Sequence, residues 1–197
     1  TNMFVNNLLA KDGLKPNDVS IVGVGASAGA VAAMEKGEID AISNLDPVIS
    51  QLESTGKFVA VADSRTEQGM KDIYGGDYLA SCIYATDEFV RKNPNTTQAV
   101  VNAMVKANRW IAKATPEQIM AVVPETYMAG NRSVYKAALL KNMVGYSLDG
   151  QMNMKAAQNV YNVLKKFEPS VIAAGSSINL ASTFDNSFAQ KAAAKYK

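Results

Sequence analysis

The sequence predicts an α/β fold, a mostly parallel sheet covered by helices, and three observations carry that reading. Short runs rich in β-branched residues recur at 19–24, 39–44 and 58–62, and such side chains suit a pleated strand. Stretches at 2–12, 26–36 and 47–54 have helical spacing or small residues and alternate with those runs. Strand–helix alternation of this kind leads to parallel strands covered by helices.

The first helix places Met3, Phe4, Leu8 and Leu9 on its apolar side and stops near Gly13. The next strand, 19–24, turns tightly through Gly25 and Ser27 into a small-residue helix that Gly37 ends. A strand over 39–43 precedes Asp46-Pro47, a pairing that favours a helix start. The polar, glycine-rich segment 63–77 reads as a connection, and 78–85 as one more strand.

From there helices dominate. Asn93-Pro94 opens one with Val101, Met104, Val105 and Ile111 at helical spacing. Thr115 and Gln118 form a capping box around Pro116, starting a helix over 116–123. Further helices are expected over 133–143, 153–167 and 185–195.

Composition narrows the function. The chain has 197 residues, 48% hydrophobic and 19% charged, with a net charge of +2. That is an ordinary globular composition with no electrostatic footprint for nucleic acid. No apolar run approaches the ~20 residues needed to span a bilayer. Histidine is absent, which removes the commonest general base and a common zinc ligand. Cys82 is the lone cysteine, so no disulfide forms within the chain, and its apolar run predicts a buried thiol. No catalytic residues, metal site or cofactor are expected, and the protein is read as no enzyme.

The candidate ligand-binding residues lie at helix starts, where unpaired N–H groups favour polar or anionic groups. Thr1 and Asn2 open the first helix, Ser27 the second, and Asn44 and Asp46 follow the 39–43 strand. Each also reads as an ordinary helix cap or turn residue. An Asp46 facing ligand would favour a cationic, hydroxylated or zwitterionic group. The chain begins on a helix, with no initiator Met, signal peptide or preceding strand. This predicts a C-terminal fragment whose N-terminal portion is missing.

The motifs Gly37-Glu-Ile-Asp-Ala41, Asp46-Pro47, Tyr78-Leu-Ala-Ser81 and Asn93-Pro94 come in an order that carries a resemblance. The chain resembles the periplasmic solute-binding proteins of nitrate/sulfonate/taurine-type ABC transporters. That resemblance implies a two-lobed, type II periplasmic-binding-protein-like fold. Residues 1–75 would be the second lobe, incomplete at its N-terminus, and 76–197 a helix-rich portion returning to the first. It implies a periplasmic or lipid-anchored extracellular protein that closes its lobes on a small-molecule solute, polar or anionic, and delivers it to a membrane permease. Leu45 and Val48 stand where such proteins often carry aromatic residues, which argues against a sulfonate or taurine ligand. The alternative is a ligand-sensing effector domain of a transcription regulator. With one lobe incomplete, Val101, Val105, Ile111, Val160 and Leu164 are expected to lie on exposed faces and the fragment to self-associate.

Overall fold

A computed structural model describes residues 2–128 and 131–196. Its helices are α1 (Asn2–Lys11), α2 (Ala28–Glu35), α3 (Val48–Ser54), α4 (Glu67–Tyr74), α5 (Asp87–Lys92) and α6 (Pro94–Ile111). They continue with α7 (Pro116–Val122), α8 (Arg132–Asn142), α9 (Met154–Phe167), α10 (Pro169–Ala174) and α11 (Ser187–Lys195).

Local chemistry accounts for most of these boundaries. Thr115 accepts from the Gln118 N–H while the Gln118 side chain accepts from the Thr115 N–H, so α7 begins with both orphan donors satisfied. Asn153 Oδ1 accepts from the Ala156 N–H at 2.7 Å and caps α9. Gly37, at φ 70°, follows α2 in the left-handed region where other residues would be strained.

Two apolar clusters anchor the packing. Ala30, Val31, Val48 and Leu52 bury α2 against α3, with Val24, Ile42 and Phe58 laid on the outside. Ile119, Met120, Met128 and Leu139 join α7 to α8, with Ile111 against them. Long-range contacts interlock the two halves of the chain: α1 packs on α4 and α9, and α3 packs on α8. Asn7, buried in α1, donates to the Ile73 carbonyl of α4 at 2.6 Å.

The expected α/β class with its parallel sheet, and with it the two-lobed flytrap, is corrected by this structure. Among the described residues there is no strand, and the architecture is all-helical. The runs at 19–24, 39–44, 58–62 and 78–85 keep their apolar residues but adopt irregular backbone. No N–H of these runs bonds to a carbonyl of another run. Strand propensity expresses the fit of a side chain to a paired, half-buried surface, and these runs have no pairing neighbour. Val59 and Val61 are 85% and 92% exposed, so the surface that would reward a strand is absent.

Other expectations also change. Glu67–Tyr74, within the segment read as a connection, is a helix: Thr66 Oγ1 accepts from the Gly69 N–H at 2.9 Å, and Gly75 ends it at φ 82°. Cys82 is exposed, as are its neighbours from Ala80 to Ala85. Of the residues expected on bare faces, Val105 is 1% exposed, where α11 lies along α6, and Val101, Ile111, Val160 and Leu164 are half-buried.

Candidate functional site

The turns on either side of α2 come together through one side chain. Gly25, at φ 70°, makes the tight turn after 19–24, and Asn44 Nδ2 donates to its carbonyl at 2.7 Å. Asn44 Oδ1 accepts from the Leu45 N–H at 2.8 Å, fixing the amide in that orientation. Asn44 thus clamps the turn that begins α2 to the turn that precedes α3.

Ser27 stands at the head of α2 with extended backbone (φ −135°, ψ −173°). Its hydroxyl makes no capping bond and is exposed. The first N–H groups of any helix lack an intrahelical acceptor; here the Ala30 N–H bonds to the Ser27 carbonyl at 3.0 Å, and with no side-chain cap those of Ala28 and Gly29 stay open. An uncommitted hydroxyl beside unpaired N–H donors suits an oxyanion or another polar acceptor.

Asp46 is engaged elsewhere. Its Oδ1 accepts from the Ser50 N–H at 3.0 Å, and its Oδ2 accepts from Asn142 Nδ2 at 2.7 Å. Arg65 Nη1 pairs with Oδ2 at 3.1 Å. Arg65 also reaches Asp63 at 2.7 Å and Glu53 at 3.1 Å, and Lys141 bonds Glu53 from α8. Burial alone would raise the Asp46 pKa; bonds from Ser50, Asn142 and Arg65 outweigh it and hold the carboxyl below its ordinary value. Asp63 is lowered chiefly by its bond from Arg65. The same carboxylates, Asp63 foremost, push the Arg65 guanidinium up.

The helix bounded by Asp46-Pro47 starts one residue later than expected, at Val48, with Pro47 as its cap. Asn2 is exposed at the first described turn of α1, a helix that packs on α4 and α9, whereas Ser27, Asn44 and Asp46 belong to the α2–α3 unit. Thr1 lies outside the described residues.

Arg65, Glu53 and Asn142 are the residues that sequence reasoning passed over. Asn142 stands 96 positions from Asp46 and Arg65 stands 19, and no local pattern marks partners at such separations. Two surface clefts lie apart from this unit. One of about 270 Å³ is lined by Asn7, Lys11, Lys71 and Lys166 among others, and one of about 300 Å³ by Glu117, Met120, Arg132, Ser133 and Lys136. Among the described residues no cluster of His, Cys, Asp or Glu is arranged to hold a metal, and no helix is long and apolar enough to cross a membrane.

Comparison with known proteins places this geometry in context. A solved structure of a protein from Bordetella bronchiseptica RB50 is 47% identical and matches with a TM-score of 0.90 over 99% of this chain. The chain spans 61% of the length of that structure. No curated protein matches the sequence. Residues 1–125 match the NMT1-like family, well over half of the chain. This protein therefore belongs to the NMT1-like family, which is of the nitrate/sulfonate/taurine solute-binding type.

Proposed function

We propose that this chain is a solute-binding component of an ABC importer that captures a small polar or anionic solute and performs no chemistry on it. The observation that carries the reading is the clamp of Asn44 on the Gly25 carbonyl, which fixes the head of α2 with the Ser27 hydroxyl uncommitted. Ser27 and the first N–H groups of α2 then supply neutral donors, and Asn44 positions them. The carboxylate of Asp46 stands nearby in sequence, but Arg65 already balances its charge, so it does not oppose an anion. Family membership supports the same role. In this reading the protein works in the periplasm or on a lipid anchor, and a membrane permease receives the solute. A regulator's sensing role has no observation in its favour.

Calorimetric titration with nitrate, taurine and a short alkanesulfonate tests the proposal. Saturable binding of at least one is expected. Losing one polar contact costs about 1–3 kcal/mol, so Ser27→Ala and Asn44→Ala should each weaken it roughly ten- to hundredfold. Absence of binding for all three solutes, or parental affinity in both variants, would sink the reading. Turnover of any of them would refute the non-catalytic part.

A further inference from the structure

The cleft of about 270 Å³ is lined by residues of α1, α4 and α9, and each of these helices brings one lysine to it. Lys11 lies in the last turn of α1, Lys71 in that of α4 and Lys166 in that of α9. Such positions suit each lysine singly, since a cation complements the negative end of a helix dipole. They do not account for three lysines meeting without a counter-ion. Among the described residues none of the three makes an ion pair. Asp72 lines the same cleft, but its Oδ1 accepts from Gln68 Nε2 at 2.7 Å, one turn back along α4. Three cations against one carboxylate leave the lining with a net charge of +2.

The walls are held by contacts within the protein. Asn7 Nδ2 donates to the Ile73 carbonyl at 2.6 Å, which ties α1 to α4, and α1 also packs on α9. Asn162 Oδ1 accepts from Gln158 Nε2 at 3.1 Å, so the Asn162 amide is oriented by its own helix, and its Nδ2 has no partner among the described residues. Ile73 and Val163 contribute hydrocarbon to the lining. At roughly 30 Å³ per water, the cleft has room for more than a bare ion. We propose that it is a binding site for a small organic dianion. Lys11, Lys71 and Lys166 balance the two charges, the Asn162 amide adds a neutral donor, and Ile73 and Val163 meet the carbon body. A dianion held this way touches three helices that are far apart in sequence, so its binding also stabilises their packing.

The test is an amide-NMR titration of the chain with succinate, butyrate and methyl phosphate at matched ionic strength. Succinate and butyrate share a carbon skeleton and differ by one carboxylate. Methyl phosphate is dianionic at about pH 8 and separates a phosphate ester from a dicarboxylate as the source. Saturable binding of at least one dianion is expected, at least about tenfold tighter than butyrate, with shifts centred on Lys11, on 71–75 and on 162–166. Lys71→Gln and Lys166→Gln should each weaken it roughly threefold, and the double variant at least about tenfold. Both lysines are exposed, so the helical circular dichroism should not change. Lys155→Gln, at the other end of α9, removes the same charge and should leave the affinity unchanged. The proposal is overturned by shifts that saturate for neither dianion, by equal affinity for butyrate, by parental affinity in the double variant, or by an equal loss in Lys155→Gln. A solute at the head of α2 shifts amides near Ser27 instead, so the two readings fail separately.

Discussion

Replacing Arg65 by methionine should unfold the junction between the 46–63 region and α8 before it disturbs any other part. The guanidinium touches three carboxylates, Asp46, Glu53 and Asp63, at 3.1, 3.1 and 2.7 Å. Its own side chain is 14% exposed and that of Asp46 is 9% exposed. Methionine keeps the packing of the aliphatic stem but leaves three negative groups without their shared cation. Removing one member of a fully buried pair costs about 3–5 kcal/mol. Glu53 and Asp63 are 25% and 30% exposed, and Lys141 still serves Glu53, so water and that lysine recover part of the loss. We expect a net cost of about 2–3 kcal/mol, the buried-pair value discounted for solvent screening. For a domain of this size that is roughly a 4–12 °C fall in Tm. Urea denaturation with a double-mutant cycle measures it: Asp46→Asn in the Arg65→Met background should cost clearly less than Asp46→Asn alone. A loss below about 0.5 kcal/mol for Arg65→Met, the scale of an ordinary surface change, or strict additivity in the cycle, would refute the idea that this cluster joins the two regions.

Acid should weaken the same junction. Asp46 and Asp63 have folded pKa values below the ordinary 3.8, so the unfolded chain binds more protons as pH falls. Their contribution is complete above the unfolded value and disappears as pH drops through the folded ones; stability should hold near pH 5 and decline below about 4. In Arg65→Met that acid-dependent loss should shrink, and an unchanged pH profile would contradict the assignment. Gly69→Ala should destabilise despite its favourable helix propensity, because a Cβ there would lie 1.7 Å from the Asp63 carbonyl oxygen. Relief requires backbone movement beside Arg65, costing about 1–3 kcal/mol by thermal melting; a neutral or stabilised variant would show that the turn yields freely. Thr115→Ala breaks the capping box of α7 and should cost about 1 kcal/mol in denaturant titration, with no effect on solute affinity.

Helix starts and stops were the legible part of this protein, because capping chemistry is local. The Thr115–Gln118 box opens α7 where the spacing places it. Pro94 begins α6, and Gly37 ends α2. Each depends on residues within four positions of one another. The helix over Glu67–Tyr74 was missed although its Thr66 cap and Gly75 stop are equally local; glycine and charge within the segment concealed them.

The candidate site divides along the same line. Ser27 at the head of a helix after Gly25 is visible in the order of residues, because a tight turn and an N-terminus need only neighbours. That Asn44 spends its amide on Gly25, and that Asp46 is balanced by Arg65 and held by Asn142, depends on contacts across 19 and 96 positions. The β-branched runs show the same division more sharply. Their composition marks them as segments suited to pairing, and the sequence by itself determines no more than that. Whether a run becomes a strand depends on a neighbour within hydrogen-bonding reach, because main-chain groups pair between segments and not within one. Only the tertiary structure supplies or withholds that neighbour, and over α2 and α3 it leaves the runs packed on one cluster and unpaired.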